Sequence, residues 1–290
     1  MKVTVGIPAY NNEATLAATI ETVLAQSFKD FELIISDDCS IDDTWNICRK
    51  YSEIDDRIKI IRQTKNLYYL NFLFLIQKSS ARYFVWLAGD DLWSPNYLSS
   101  CLLVLDQRPD VVGCTSRCQY TSHGRLVSIS DGGAASLQGS WEQNVGAYLR
   151  RPYNPDRLYA VFRIGALDAA FPRKIMHAYD WALCAATLKY GKHIVLDEIL
   201  LTRDKTPWEN YAQSVKRDHT FFVYRLFPVL CMSLHLVFHR KIPLTWEVSR
   251  ALIALNYQKH VEYMKLIHPK TYSLIGWAYR LFRKHIAWRI

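Results

Sequence analysis

No glycine-rich phosphate loop occurs in this chain of 290 residues: its 11 glycines form neither G-x-G-x-x-G nor G-x-x-x-x-G-K-[ST]. Rossmann dehydrogenases and P-loop enzymes cradle phosphates on such glycines, so both classes are excluded. A cysteine framework is missing as well. The seven cysteines (39, 48, 101, 114, 118, 184 and 231) are odd in number and scattered, and Cys114 and Cys118 have no second close pair to complete a zinc site. Lys2 to Ile7 opens as an apolar strand without the n-region, h-region and cleavage site of a secretory signal. Reduced, buried thiols and a cytoplasmic location are expected from this. A long uninterrupted apolar run is also lacking, because Arg225, Pro228 and His235 break the stretch from Phe221 to Phe238.

Acid is scarce in the last third. From Arg203 onward there are 15 Lys and Arg against 5 Asp and Glu, whereas residues 1 to 202 carry 21 against 22. A nucleic-acid-binding module would use such charge, but it is confined to the tail and no RNP, KH or zinc-finger pattern accompanies it, so no nucleic-acid partner is expected. Within the tail, Leu274, Trp277, Ala278, Leu281 and Trp288 recur at helical spacing opposite Arg280, Arg283 and Lys284. That is the pattern of an interfacial amphipathic helix over residues 272 to 290. Contact with an anionic membrane surface, peripherally at the inner face of the plasma membrane, is the expectation.

What the chain does have is alternation. Lys2–Ile7, Phe31–Ser36, Ile58–Arg62 and Tyr83–Ala88 read as strands; Glu13–Gln26 behind a possible Asn12 cap, Thr44–Ser52 and Tyr69–Ser79 read as the helices between them. This βαβ pattern predicts a mostly parallel sheet. Pro95 suits the first turn of a helix running to Gln107, Val111–Cys114 is a further apolar run, and Ser122–Pro155 reads as loop with short strands. With half of its residues apolar, the chain can bury a large core, and we expect a domain over residues 1–204 and a basic helical region over 205–290.

Two strands end in acid: Phe31–Ile35 runs into Ser36-Asp37-Asp38, and Tyr83–Ala88 into Gly89-Asp90-Asp91. Open α/β sheets bind ligands at their carboxyl ends, so these doublets point to a nucleotide and metal site. The doublets Asp42-Asp43 and Asp55-Asp56 lack that context; the first reads as a helix cap, the second as a solvated turn. Without a glycine cradle, a divalent cation on carboxylates is the natural way to hold a diphosphate.

Together, Pro8-x-Tyr10-Asn11, Leu24-Ala25-Gln26-Ser27-Phe28-x-x-Phe31-Glu32-Leu33-Ile34-Ile35, Asp37-Asp38-x-Ser40-x-Asp42-x-Thr44, Asn66 and Trp86-Leu87-Ala88-Gly89-Asp90-Asp91 resemble the family 2 glycosyltransferases of bacterial polysaccharide and glycolipid biosynthesis. The likeness covers residues 2 to 110 and weakens towards 204. It implies the GT-A fold, a Rossmann-like mostly parallel sheet flanked by helices with a C-terminal helical appendage. It implies a hexosyltransferase-type activity: inverting transfer of a sugar from a nucleotide-diphosphate donor, a UDP-sugar, to a glycan or lipid-linked acceptor hydroxyl. Pro8, Tyr10, Asn11, Asp38 and Asn66 would serve the nucleotide, with Asp38 suited to a uracil- or guanine-like edge. Asp90 would reach the ribose and the metal, and Asp91 would bind Mn²⁺ or Mg²⁺ directly. Asp180, the only acid between Asp168 and Asp197, opens an apolar helical stretch and would be the general base, with Asp168 in reserve. Trp181 would stack on a sugar ring. Arg203 would reach the diphosphate, although Thr202-Arg203-Asp204-Lys205 lacks the histidine of the family's Tyr-Arg-x-His, and Leu67 and Tyr68 replace a glycine-bearing loop. A catalytically inactive, nucleotide-binding or assembly protein of the same fold is the rival reading; Asp90, Asp91 and Asp180 stand against it.

Overall fold

The computed structural model describes residues 1–122, 124–130, 135–152, 155–174, 176–204, 211–218 and 221–269. The expected helix over 272–290 lies outside the described residues. The chain opens with β1 (Val3–Ala9), α1 (Leu16–Leu24), β2 (Phe31–Asp37), α2 (Thr44–Ile54), β3 (Ile58–Arg62), α3 (Leu70–Lys78) and β4 (Tyr83–Trp86). It continues through β5 (Leu92–Trp93), α4 (Tyr97–Gln107), β6 (Val111–Ser122), β7 (Arg125–Ile129), α5 (Trp141–Arg150), a 3₁₀ turn at Pro155–Tyr159, β8 (Val161–Arg163), α6 (Ile164–Ala170), α7 (Tyr179–Thr187) and β9 (Lys192–Asp204). Four helices follow, α8 (Tyr211–Asp218), α9 (Phe222–Leu226), α10 (Leu230–Leu234) and α11 (Trp246–Ile267), with a π-helical turn at His235–His239 between the last two.

One sheet runs in the order β3-β2-β1-β4-β8-β6-β9-β5, with β7 on β6. As the alternation predicts, β1 to β4 pair in parallel; antiparallel pairings enter with β5, β7 and β8, while β6 and β9 pair in parallel. Every residue of β2 is buried, as in a strand covered on both faces. Gly6 lets β1 pass under Phe84, whose ring would lie 2.6 Å from any added Cβ. Chain order reverses at β1, which lies between β2 and β4. The crevice beyond their carboxyl ends is the topological switch point, and both acidic doublets border it.

Several boundaries differ from expectation for local reasons. Asn12 does not cap α1: its side chain accepts the Tyr10 N–H at 2.9 Å, and Thr15 takes the N-cap position. Pro95 sits in the turn before α4, where its carbonyl accepts the Ser27 N–H at 2.8 Å. The stretch read as loop contains α5, whose Ser140 hydroxyl accepts the Gln143 N–H while the Gln143 side chain accepts the Ser140 N–H. That reciprocal pair is a capping box, legible as S-x-x-Q before Val145 and Tyr148.

Two cores result. The first packs β1, β2 and β4 against α1, α3 and α4. The second gathers Val145, Tyr148 and Leu149 of α5 and Ala182, Cys184 and Ala185 of α7 with Val229, Met232, Leu236, Val248, Leu252 and Leu255 from beyond residue 204. The apolar run 221–238 is thus broken into short helices that partly fill this core, and no helix among the described residues is long and apolar enough to cross a membrane.

Gln26 welds α1 to α4. Its amide donates to the carbonyls of Thr22 and Ser94, at 3.1 and 2.8 Å, and accepts the Leu98 N–H at 3.0 Å. Gln26→Ala strands buried backbone groups and is expected to lower unfolding free energy by about 2–4 kcal/mol in urea titration. A fragment ending at residue 204 exposes the α5 and α7 side of the second core. We expect it to unfold at lower temperature than the full chain and to bind a hydrophobic dye, readable by calorimetry and fluorescence.

Candidate functional site

The first wall is built by backbone strapping. Asn11 adopts a left-handed conformation at φ 52°, donates its N–H to Ser40 Oγ at 2.9 Å and accepts the Ile41 N–H on Oδ1 at 3.0 Å. Asn12 N–H reaches Thr44 Oγ1 at 2.7 Å, and Asp42 accepts the N–H groups of Glu13 and Thr44. The loops after β1 and β2 are therefore one unit. Asp42 serves the backbone as its position predicted, although Asp43 occupies the N-cap of α2. Half-buried Pro8 and exposed Tyr10 stand on the rim of this unit.

Asp38 is buried and faces the third loop. Its two oxygens accept the N–H groups of Leu67 and Tyr68 at 2.7 and 2.9 Å, and Asn66 Oδ1 accepts the Tyr68 N–H at 2.8 Å. Burial raises the Asp38 carboxyl above its ordinary value against the pull of those two bonds. Tyr68 takes φ 54° here, so the segment bends left-handed without the glycine common in its place.

The acidic loop after β4 closes the second wall. Thr15 Oγ1 donates to the Gly89 carbonyl at 2.7 Å, and a Cβ on Gly89 would meet Asn12 Oδ1 at 2.7 Å, so a glycine is required at that approach. Asp90 points to solvent and Asp91 is 1% exposed. Burial pushes the Asp91 carboxyl up to about 7, offset in part by Arg203 and reinforced by Asp90.

Arg203 comes from β9, opposite Tyr120 of β6. Its Nε donates to Asp91 Oδ2 at 2.9 Å, its Nη1 lies 3.4 Å from Asp156 Oδ1, and its guanidinium stacks 4.3 Å from the Tyr159 ring centre. Tyr120 Oη donates to the same Asp156 oxygen at 2.7 Å. Asp180 lies in the first turn of α7, behind a left-handed Ala178 at φ 58° that holds the N-cap position. Burial raises its carboxyl; the Trp181 N–H, His177 and Arg203 act in the opposite sense.

Burial raises the Tyr159 phenol, with the stacked Arg203 opposing and Asp91, Asp90 and Asp180 reinforcing the rise. Trp181 lies elsewhere, packed on the second core with Lys259 Nζ 5.5 Å from its ring centre. Asp168, the reserve base, is an exposed partner of Arg173 at 2.7 Å. Tyr120, Asp156, Tyr159 and His177 were not read from the sequence. No spacing links them to the doublets, and only the fold brings them in.

The metal question turns on donor chemistry. Asp90 and Asp91 offer hard oxygens, and a buried carboxyl held near 7 is an under-compensated one that a cation would relieve. Among the described residues no group of three or more His, Cys, Asp or Glu gathers into a cage. Mg²⁺ and Mn²⁺ fit such a partial site, because Mg²⁺ in particular is commonly held by one or two carboxylates plus waters and substrate phosphates.

The family model "Glycosyl transferase family 2" matches residues 4–151. The UDP-Glc:alpha-D-GlcNAc-diphosphoundecaprenol beta-1,3-glucosyltransferase WfaP of Escherichia coli is 37% identical over 102 residues, covering 34% of this chain and 39% of that protein. This chain spans less than half the length of the curated relatives it matches. Among solved structures, S. aureus TarS 1-349 in complex with UDP-GlcNAc superposes with a TM-score of 0.58 at 17% identity, over 91% of this chain and 81% of that one. The mannosyltransferase PcManGT from Pyrobaculum calidifontis, in complex with GDP-Man and Mn²⁺, gives 0.53 at 15% identity, over 99% and 82%. These superpositions show the GT-A fold that the resemblance implied. With its family model matched across half of its length, from the first strand through α5, the chain belongs to glycosyl transferase family 2.

Proposed function

We propose that this protein is a metal-dependent, inverting glycosyltransferase that moves a sugar from a UDP-sugar to the hydroxyl of a glycan or lipid-linked acceptor. The observation that carries the reading is the Arg203 guanidinium held between Asp91, at 2.9 Å, and the Tyr159 ring, at 4.3 Å, where the acidic strand end meets β9. WfaP, a relative whose name gives a UDP-glucose donor and a diphosphoundecaprenol-linked acceptor, supports the substrate class. The Mn²⁺ bound with GDP-Man in PcManGT supports the metal.

Each group then has a task. The strapped loops bearing Pro8, Tyr10, Asn11 and Asn66 frame the base, with Asp38 accepting from its N–H edge. A Mg²⁺ or Mn²⁺ ion held by Asp91 and Asp90 would neutralise charge on the diphosphate. Arg203 supplies a second positive charge beside the same oxygens. Asp180 takes the proton from the acceptor hydroxyl; that oxygen bonds to the anomeric carbon as the bond to the diphosphate breaks, and the electron pair leaves with the nucleoside diphosphate. Attack opposite the leaving group inverts the anomeric centre. The basic region beyond residue 204 would hold the enzyme at an anionic membrane surface on the cytoplasmic side, beside lipid-linked acceptors.

Asp180→Asn is expected to lower turnover by about 10²–10⁴-fold while Mn²⁺-dependent UDP binding stays within threefold of the parent, measured by calorimetry and UDP release. Unchanged turnover would remove Asp180 from its role.

Asp91 also fixes a pH dependence in the metal-free protein. Its folded carboxyl, near 7, is raised above the ordinary carboxylate value, so the folded state holds a proton that the unfolded state has released. Stability from this group is therefore lost as pH rises from about 4 to about 7 and is level above that, at on the order of 1 kcal/mol per pH unit. Asp91→Asn lacks the effect. The stability gap between parent and variant, followed by urea unfolding across pH 4–8, should change in that window; a pH-independent gap contradicts the assignment.

A further inference from the structure

The stretch that delivers Asp180 is held by the region beyond β9. Arg240 donates to the carbonyls of Ala169 and Phe171, at 2.6 and 2.7 Å, and to His235 Nε2 at 3.1 Å, which pins the end of α6. At the other end, His177 Nδ1 meets Asp218 Oδ2 of α8 at 2.8 Å, with the two side chains 12% and 20% exposed. Asp218 is itself fixed by Arg217 Nε on its other oxygen at 2.9 Å. Between His177 and Asp180 stands Ala178, at φ 58°, a conformation that a non-glycine residue holds only when its surroundings impose it.

We propose that His177 and Asp218 form a positioning pair for the base Asp180, making α8 a working part of the site; this rests on Asp180 having the role given above. Asp218 fixes the ring of His177, and from that anchored residue the backbone passes through left-handed Ala178 to Asp180 three residues on. Among the described residues, the other titratable groups acting with Asp180 are Tyr148 of α5, Tyr159 of the 3₁₀ turn, Tyr179 and Cys184 of α7, and Arg203 of β9, which is already shared by Asp91 and Asp156. Burial works to raise the Asp218 carboxyl, and the bonds from His177 and Arg217 outweigh it and hold it low.

The test uses the full chain and the variants His177→Gln, Asp218→Asn and their double. With UDP-glucose and UDP-GlcNAc as probes, each single change should lower kcat about tenfold, leave KM for the donor within threefold, and combine non-additively in the double. The acid limb of the kcat profile should move up by about one pH unit in His177→Gln, because removing a nearby cation makes the carboxylate harder to form. A purely structural contact would not move that limb. A second measurement is independent of the substrate: the ¹³C titration of the Asp180 carboxyl, assigned by its loss in Asp180→Asn, should shift upward in His177→Gln and partly in Asp218→Asn. An unmoved titration overturns the pair. Full turnover in Asp180→Asn with the titration still shifted overturns the base and leaves the pair intact.

Discussion

One guanidinium shared between two buried carboxylates organises the acidic side of this molecule. Arg203 faces Asp91 at 2.9 Å and Asp156 at 3.4 Å, and both aspartates are 1% exposed. Burying one carboxylate is expensive unless it is paired, and burying two on a single cation leaves a negative excess that the protein alone does not settle. Burial, reinforced by Asp90 and only partly offset by Arg203, holds the Asp91 carboxyl near 7, which is why the strand end suits a cation. The arrangement depends on β9. Register shifts between β6 and β9 set Arg203 opposite Tyr120, whose hydroxyl holds Asp156 in place.

A second constraint ties the nucleotide side to the catalytic side. The Asp38 carboxylate fixes the Leu67 and Tyr68 N–H groups, and the next residue, Tyr69, packs its ring 4.8 Å from that of Tyr179 and parallel to that of Phe171. Tyr179 immediately precedes Asp180. A change in the loop over Asp38 therefore reaches the turn that carries Asp180 through one aromatic contact. Aromatic pairs of this kind add about 0.5–1.5 kcal/mol beyond burial, enough to couple two loops without making either rigid.

The sequence was legible where structure is local. Phe31–Asp37 and Tyr83–Trp86 are short apolar strands, and the acidic doublets at and after their ends fall at the sheet's switch point because strand direction and connection order leave few alternatives. The helix α5 carried its signal in Ser140 and Gln143, but a polar surrounding with weak periodicity hid it. Asp156 and Asp218 had no signal of that kind. Asp156 reaches Arg203 across 47 residues, and Asp218 reaches His177 across 41, so each acquires meaning only from chain packing. Asp180 could be singled out as a candidate because its helix is local and its acid is isolated. What surrounds it was not.

The second core changes how the basic C-terminal region is understood. A division at residue 204 follows charge, and charge follows solvent-facing side chains; the buried face ignores it. Thr245 caps α11 by accepting the Val248 N–H at 3.2 Å, Glu247 pairs with Arg150 of α5 at 3.1 Å, and the buried residues of α11 share one core with α5 and α7. The helix that presents Asp180 therefore leans on the same apolar mass that α11 completes. A load on the region beyond residue 204 therefore bears on the setting of Asp180 through packing alone.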